Sequence, residues 1–193
     1  MKVALIPCGV TDWRQKGRLL GRVELELTPG GEMQCVQWGE QLRPLMISRI
    51  FHAPDELSKA TAQHIGRRLN VPTKALDALV EVDLGLWAGL TEAELKKRYA
   101  KAHRQLVESP LNVSPPQGEG FSEAADRVRN CLKKRIKPNG PPGIGLVMRP
   151  LTFAMARYVL EGAASTKIWE TSQQVDGPFV MDCVDVPAPA ANA

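Results

Sequence analysis

The feature that most constrains this chain is the alternation of short apolar runs with longer amphipathic segments. Short segments at 2–6, 47–53 and 144–148 have the length of buried strands, and the first is a nearly continuous apolar run. Helix-length segments lie between them, and at least one opens with a capping Thr followed by Pro, at Thr28-Pro29. Strands alternating with helices favour a parallel sheet covered on both faces. The pattern therefore predicts an α/β fold, a three-layer αβα sandwich with a mostly parallel sheet.

The remaining elements follow from capping signals, turn residues and periodicity. Weaker extended segments are predicted at 75–80 and 179–186, and loops at 9–28 and 109–120. Residues 1–186 are predicted to form one domain, followed by a disordered Pro/Ala-rich tail at 187–193. Helices are predicted over Pro29–Arg43, Pro54–Leu69, Thr91–Val107, Phe121–Ile136 and Pro150–Leu160.

Hydropathy and cysteine content are used to predict the cellular compartment of the protein. Of the 193 residues, 44% are hydrophobic and 24% charged, which is typical of a globular domain. No apolar run approaches the ~20 residues that span a bilayer. The apolar stretch 1–10 is short, carries Pro7 beside Cys8 and is followed at once by polar residues, so we interpret it as a strand and not a signal peptide. We expect a cytoplasmic protein with free thiols and no membrane association.

Positive charge suggests one further class of partner. The net charge is +4, and much of it falls in two predicted helices, at 96–104 and 127–137. A polyanion-binding surface is one hypothesis. Solvated helix faces are the simpler interpretation, because aromatic residues that could stack on bases are almost absent from both stretches, and nucleic acid is not the expected partner.

In parallel sheets, ligands bind at the carboxyl ends of the strands. The residues at these ends are Pro7-Cys8-Gly9, His52-Ala53, Glu81 and Arg149-Pro150.

Six sequence blocks contain all of those strand ends except Arg149-Pro150, and the matching order and spacing extend over roughly residues 3–161. The blocks are LIPCGVTDW at 5–13, GRLLG at 17–21, LTPGGEMQ at 27–34, HAPDELSKATA at 52–62, EVDLGLWAGLT at 81–91 and PPQGE at 115–119. Together they resemble the histidine phosphatase superfamily, which includes the cofactor-dependent phosphoglycerate mutases. The resemblance implies the phosphoglycerate mutase-like fold.

The resemblance also implies five catalytic positions, and this chain departs from four of them. The family uses a His nucleophile, two Arg residues and a second His that bind the phosphoryl group, and a Glu as acid. The nucleophile position holds Cys8 and its neighbouring Arg position holds Pro7. The second Arg position holds Leu57, and the second His position holds Arg149. Glu81 alone keeps the family's residue type.

These substitutions predict a protein that has lost phosphoryl transfer, a pseudoenzyme without a cofactor that binds a phosphorylated or anionic small molecule or a protein partner. One alternative is a diverged phosphatase that uses Cys8 with Arg149 and Glu81. A metal at Cys8, His52 and Glu81 is not expected, since their spacing is unrelated to known sites. The candidate ligand-binding residues are Arg18, Arg149, Thr11 and His52, and Trp13 and Trp87 are candidates to line a cleft.

Overall fold

A five-stranded sheet forms the centre of the computed structural model, which describes residues 1–137, 139–162, 164–183 and 185–186. The strand order is β3-β2-β4-β1-β5. β1, β2, β3 and β4 are parallel, and β5 pairs antiparallel with β1 at the edge. The strands are β1 (Lys2–Pro7), β2 (Ile47–His52), β3 (Thr73–Ala75), β4 (Gly143–Met148) and β5 (Phe179–Asp182).

Helices follow or precede each strand and cover both faces of the sheet. They are α1 (Asp12–Gln15), α2 (Pro29–Leu42), α3 (Glu56–Leu69), α4 (Glu92–Arg98), α5 (Ala100–Glu108), α6 (Phe121–Arg135), α7 (Pro150–Glu161) and α8 (Lys167–Gln174). Short 3₁₀ turns lie at 43–45, 77–79, 85–87 and 110–112.

The alternation of side chains along β1 divides the core in two. Val3 and Leu5 pack into the cluster that contains α6 and α7. Ala4 and Ile6 pack into the other cluster, against α2 and α3. All four side chains are fully buried, and a buried Leu or Ile contributes roughly 1.5–3 kcal/mol. The three predicted layers and the mostly parallel sheet are confirmed.

Several predicted helix boundaries are wrong. α3 begins at Glu56, not Pro54, because the Asp55 carboxylate accepts the Ser58 backbone N–H and makes Asp55 the N-cap. The predicted helix at 91–107 is two helices, α4 and α5, separated at Tyr99, whose backbone (φ −131°, ψ 50°) is not helical. The Tyr99 ring packs against Trp87, with ring centroids 5.8 Å apart.

Other differences concern short or edge elements. The predicted strand 75–80 is wrong, since β3 ends at Ala75 and a 3₁₀ turn follows. The last strand ends at Asp182, not at 186. The helices α1 and α8 were not predicted, and α1 lies within the predicted loop 9–28. The predicted disordered tail, 187–193, lies outside the described residues.

Candidate functional site

The carboxyl ends of β1 and β4 meet at the floor of a cleft of about 230 Å³. Cys8 follows β1 and its backbone N–H donates to the Met148 carbonyl at 3.0 Å, which brings the ends of the two strands together. The cleft is lined by Pro7, Cys8, Gly9, Val10, Arg14, Leu20, Gln34, Trp38, Pro150, Gln173, Gln174, Val175 and Asp176. A smaller hollow of about 80 Å³ adjoins it, and its lining includes Arg14, Arg18 and Glu81.

Arg149 is buried, and its guanidinium donates to groups of the protein itself. Nε and Nη2 both donate to Oδ1 of Asp55, at 3.1 and 2.9 Å. Nη1 donates to the carbonyls of Gly21 and Val23, at 2.9 and 2.7 Å. The side chain of Arg149 is 1% exposed and that of Asp55 is 12% exposed. Four of the five N–H donors of the guanidinium are therefore used within the fold.

Asp55 connects this ion pair to the thiol at the nucleophile position. The Ser58 hydroxyl donates to Oδ2 of Asp55 at 2.8 Å. The Sγ atom of Cys8 lies 3.2 Å from the same hydroxyl oxygen. A serine hydroxyl has only one proton, and Ser58 gives it to Asp55. With that proton given to Asp55, Cys8 is the donor of the remaining contact, an arrangement that suits a protonated thiol.

The surroundings of Cys8 oppose ionisation of the thiol. Burial first, and then the negative charge of Asp55, raise the pKa of Cys8 far above its ordinary value. The positive charge of Arg149 acts in the opposite direction but is a smaller effect. Reactive cysteines have a depressed pKa, so the environment of Cys8 is that of an inert thiol.

Glu81 is buried at the N-terminus of α7. Its Oε1 accepts the Thr152 backbone N–H and the Thr152 hydroxyl, at 2.8 and 2.9 Å, and Oε2 accepts the Leu151 N–H at 3.0 Å. Burial raises the pKa of Glu81, although these hydrogen bonds and one from Val82 lower it in part. The carboxyl group therefore serves as a buried anchor for the start of α7.

The two positions at which the family has Arg carry no cation here. Leu57 is 1% exposed, and its apolar side chain is packed in the interior. Pro7 ends β1 beside the cleft and has no backbone N–H to offer a ligand.

Arg14 is a residue of this site that sequence reasoning did not select. Its Nη1 donates to the Ser172 carbonyl at 3.0 Å, and its Nη2 donates to those of Gln173 and Val175, at 3.1 and 2.8 Å. These carbonyls lie at the C-terminal end of α8, where a cation is favourable. Burial lowers the pKa of Arg14. Only the fold brings α8 to this position, because the partners are more than 150 residues away in sequence.

The other predicted ligand-binding residues are dispersed. Arg18 lines the smaller hollow and donates to the Gly89 carbonyl at 2.6 Å. Thr11 is buried as the N-cap of α1 and accepts the Arg14 backbone N–H. His52 is buried, with Nδ1 2.7 Å from the Ala53 carbonyl oxygen, and lies outside the residues that line the two cavities.

Neither of the two tryptophans singled out in the sequence lines these cavities. Trp87 is fully buried in the core, and its Nε1 makes no hydrogen bond to any described residue. Trp13 packs close to Gly89, near the loop that Arg18 contacts. Among the described residues, no three His, Cys, Asp or Glu side chains are grouped so as to hold a metal ion.

The two basic stretches differ in their surroundings. On α6, Arg127 donates to both carboxylate oxygens of Glu119 and to the carbonyls of Ala78 and Val80. The cations of α4 and α5 are exposed. The second stretch is therefore partly structural.

None of the helices in the described part of the chain is both long enough and apolar enough to cross a bilayer.

The chain matches one family model and is similar in sequence to named proteins. The family model described as the histidine phosphatase superfamily (branch 1) matches residues 3–176. Phosphoserine phosphatase 1 of Hydrogenobacter thermophilus is 24% identical over 169 residues, which is 88% of this chain and 80% of that protein. A Salmonella choleraesuis protein named "Probable phosphoglycerate mutase GpmB" is 30% identical over 141 residues, which is 72% of this chain and 66% of that protein.

Solved structures agree on the fold. A mutant phosphoserine phosphatase from Entamoeba histolytica, in complex with phosphoserine, superposes with a TM-score of 0.81 at 20% identity, covering 96% of this chain and 93% of that one. A mycobacterial glucosyl-3-phosphoglycerate phosphatase with bound VO3 gives a TM-score of 0.80 at 20% identity, covering 96% of this chain and 94% of the other. At this identity the likeness concerns the fold alone.

Proposed function

Because the chain belongs to the histidine phosphatase superfamily (branch 1), we propose that it is a pseudoenzyme of that family, which has lost phosphoryl transfer and acts by binding. The observation that carries the proposal is the hydrogen-bonded chain Cys8–Ser58–Asp55–Arg149. In this chain the groups at the nucleophile position and at the second His position are joined to one another through protein side chains. Neither is left free to act on a phosphorylated substrate.

The substitutions remove each part of the family's chemistry. Without an imidazole at position 8 there is no phosphohistidine route. Pro7 and Leu57 supply no positive charge to a phosphoryl transition state, and loss of one such contact commonly reduces the rate about 100- to 1,000-fold. Arg149 is a cation, but its charge is balanced by Asp55. The residual acid, Glu81, has no nucleophile to assist.

The binding role is proposed for the outer part of the cleft. Arg14 lines both the cleft and the adjoining hollow, and Arg18, the more exposed guanidinium, lines the hollow. A guanidinium matches the geometry of phosphate and carboxylate. Relatives of this chain carry the names of phosphatases and mutases of phosphorylated small molecules, which supports a small phosphorylated or anionic ligand. A protein partner and a cytoplasmic location remain further parts of the proposal.

A phosphatase assay with a generic aryl phosphate tests the loss of activity. The phosphoserine phosphatase of Hydrogenobacter thermophilus serves as the active control on its own substrate. We expect no turnover by the wild-type chain above that of Cys8→Ser. Turnover that Cys8→Ser abolishes would instead establish the diverged phosphatase that uses Cys8, Arg149 and Glu81.

The polyanion alternative has a separate test. Retention on a polyanion column with a steep dependence on salt would favour it. Absence of retention at low salt would remove it.

A further inference from the structure

We propose that the Asp55 carboxylate, which is linked to the cleft through Ser58 and Cys8, is an internal anion that takes the place of a phosphoryl group and keeps phosphate away from Arg149. The inference rests on the proposed loss of activity and gives it a mechanism. In sequence, Asp55 lies in the block HAPDELSKATA, two residues before Leu57, to which the resemblance assigns the family's second Arg position.

The contacts of Asp55 are those that a phosphoryl group receives in proteins. Oδ1 accepts from Nε and Nη2 of Arg149 and from the backbone N–H of Ser58 at 3.0 Å, in the first turn of α3. Oδ2 accepts from the Ser58 hydroxyl at 2.8 Å. A guanidinium, a helix N-terminal N–H and a hydroxyl are the usual donor set for a bound phosphate. The Asp55 carboxylate therefore already accepts hydrogen bonds from all three kinds of donor.

Helix capping alone does not explain this arrangement. An N-cap Asp needs only the contact with the N–H of Ser58. The other three hydrogen bonds come from a guanidinium on α7's N-cap residue and from a side-chain hydroxyl. They tie Asp55 to Cys8, which lines the cleft.

The charges oppose a second anion at the same position. Arg149 contributes one positive charge, and Asp55 cancels it at a separation of 2.9 Å. A phosphate placed against Arg149 would meet the Asp55 carboxylate, and like charges at short range in a buried site are unfavourable. In the intact protein, the guanidinium groups of the two cavities that are left for a phosphate are those of Arg14 and Arg18.

Two substitutions at Asp55 test the inference, with a matched control one residue away. Asp55→Asn and Asp55→Ser both retain an N-capping side chain and remove the charge. Glu56→Gln also removes one negative charge, but the Glu56 side chain is exposed and pairs with Lys59 on the surface. Each protein is titrated calorimetrically with inorganic phosphate at pH 7 and constant ionic strength. Circular dichroism and thermal melting establish that each variant is folded.

We expect both Asp55 variants to bind phosphate at least ten times more tightly than the wild type or Glu56→Gln. Adding Arg149→Met to Asp55→Asn should abolish the gain. The inference is overturned if folded Asp55 variants show no gain, or if Arg149→Met leaves the gain unchanged.

A measurement that leaves Asp55 in place applies even if the Asp55 variants fold poorly. Any protection of Cys8 by phosphate against a thiol-alkylating reagent should be lost in Arg14→Met, in which Arg149 remains paired with Asp55, and protection that persists in this variant would contradict the inference. Turnover of aryl phosphate by the wild type would overturn the proposed function. The phosphate affinity of Asp55→Asn is a separate measurement and decides the further inference independently.

Discussion

Two helix N-termini lie beside the cleft, and a carboxyl group accepts backbone N–H donors from the first turn of each. Asp55 caps α3 and is in contact with the guanidinium of Arg149. Glu81 serves α7, where Pro150 has no N–H and the first available donors belong to Leu151 and Thr152. Within the described part of the chain, Glu81 accepts hydrogen bonds from neutral donors, the backbone N–H groups of Val82, Leu151 and Thr152 and the Thr152 hydroxyl.

Both carboxyl groups accept N–H donors at the start of a helix, but only Asp55 has a neighbouring cation. At Glu81 the burial of the carboxyl outweighs four neutral hydrogen bonds, so its pKa is raised. At α3 the carboxylate of Asp55 lies within an ion pair, and its negative charge in turn helps to raise the pKa of Cys8. Positions that the family uses for phosphoryl transfer are thus engaged in holding helices and strands together.

The largest expected effect is the appearance of catalysis when the family's residues are restored and the Asp55 carboxylate at the start of α3 is removed. Restoring Pro7→Arg, Cys8→His, Leu57→Arg and Arg149→His alone leaves Asp55 without its cation and beside the new phosphate position. We expect aryl phosphatase activity only when Asp55→Leu is added, with at least a 100-fold excess over the four-substitution variant. Steady-state kinetics measure both rates. Equal activity of the two folded variants would show that Asp55 does not block the site.

The next effect is on stability, from breaking the ion pair at Arg149. Arg149→Met leaves Asp55 partly buried without its cation, and we expect a loss of about 3–5 kcal/mol in urea unfolding. The double variant with Asp55→Asn should lose less than the sum of the single losses. Arg157→Met is the control, since Arg157 pairs with Glu161 near the surface, and its cost should stay below about 1 kcal/mol. An additive double variant would contradict the proposed coupling.

A smaller, pH-dependent effect distinguishes Glu81. Folded Glu81 holds its proton more tightly than an ordinary glutamate, whose pKa is 4.5. The stability it contributes is therefore present below pH 4.5 and is lost as the pH rises through its folded-state pKa. Glu81→Gln cannot ionise. It should cost about 1–3 kcal/mol at acidic pH, and this cost should shrink as the pH rises. Unfolding curves between pH 4 and 8 measure the stability cost of Glu81→Gln, with the exposed Glu24→Gln as the control. A cost that grows with pH would contradict a raised pKa of Glu81.

The smallest expected effect on stability concerns Cys8. Cys8→Ser should change stability by less than about 1 kcal/mol at pH 7, because serine preserves a donor to Ser58. In the wild type, stability should fall above pH 9.0, the ordinary thiol value, because the pKa of Cys8 is raised in the folded state. Iodoacetamide should modify Cys8 slowly at pH 8 and faster in Asp55→Asn, with Cys8→Ser giving the background. Rapid modification of the wild type would argue against a protonated thiol.

The order of the elements could be predicted from local sequence because it rests on local physics. Apolar runs place the strands, and Thr28-Pro29 and Thr91 cap α2 and α4 as expected. The division at Tyr99 and the helix α8 were missed, since both depend on tertiary contacts, with Trp87 and with Arg14. The substituted positions Pro7, Cys8, Leu57 and Arg149 were identified by order and spacing alone.

The sequence by itself determined the family and the layers and predicted which catalytic positions have changed, because hydrophobic period, capping residues and motif spacing are written along the chain. Only the tertiary structure decided what the changed residues do. The pairing of Arg149 with Asp55 joins positions 94 residues apart, and the direction of the Cys8 hydrogen bond depends on which acceptor Ser58 reaches. Contacts of this kind arise from where parallel strands end in space, which no local pattern encodes.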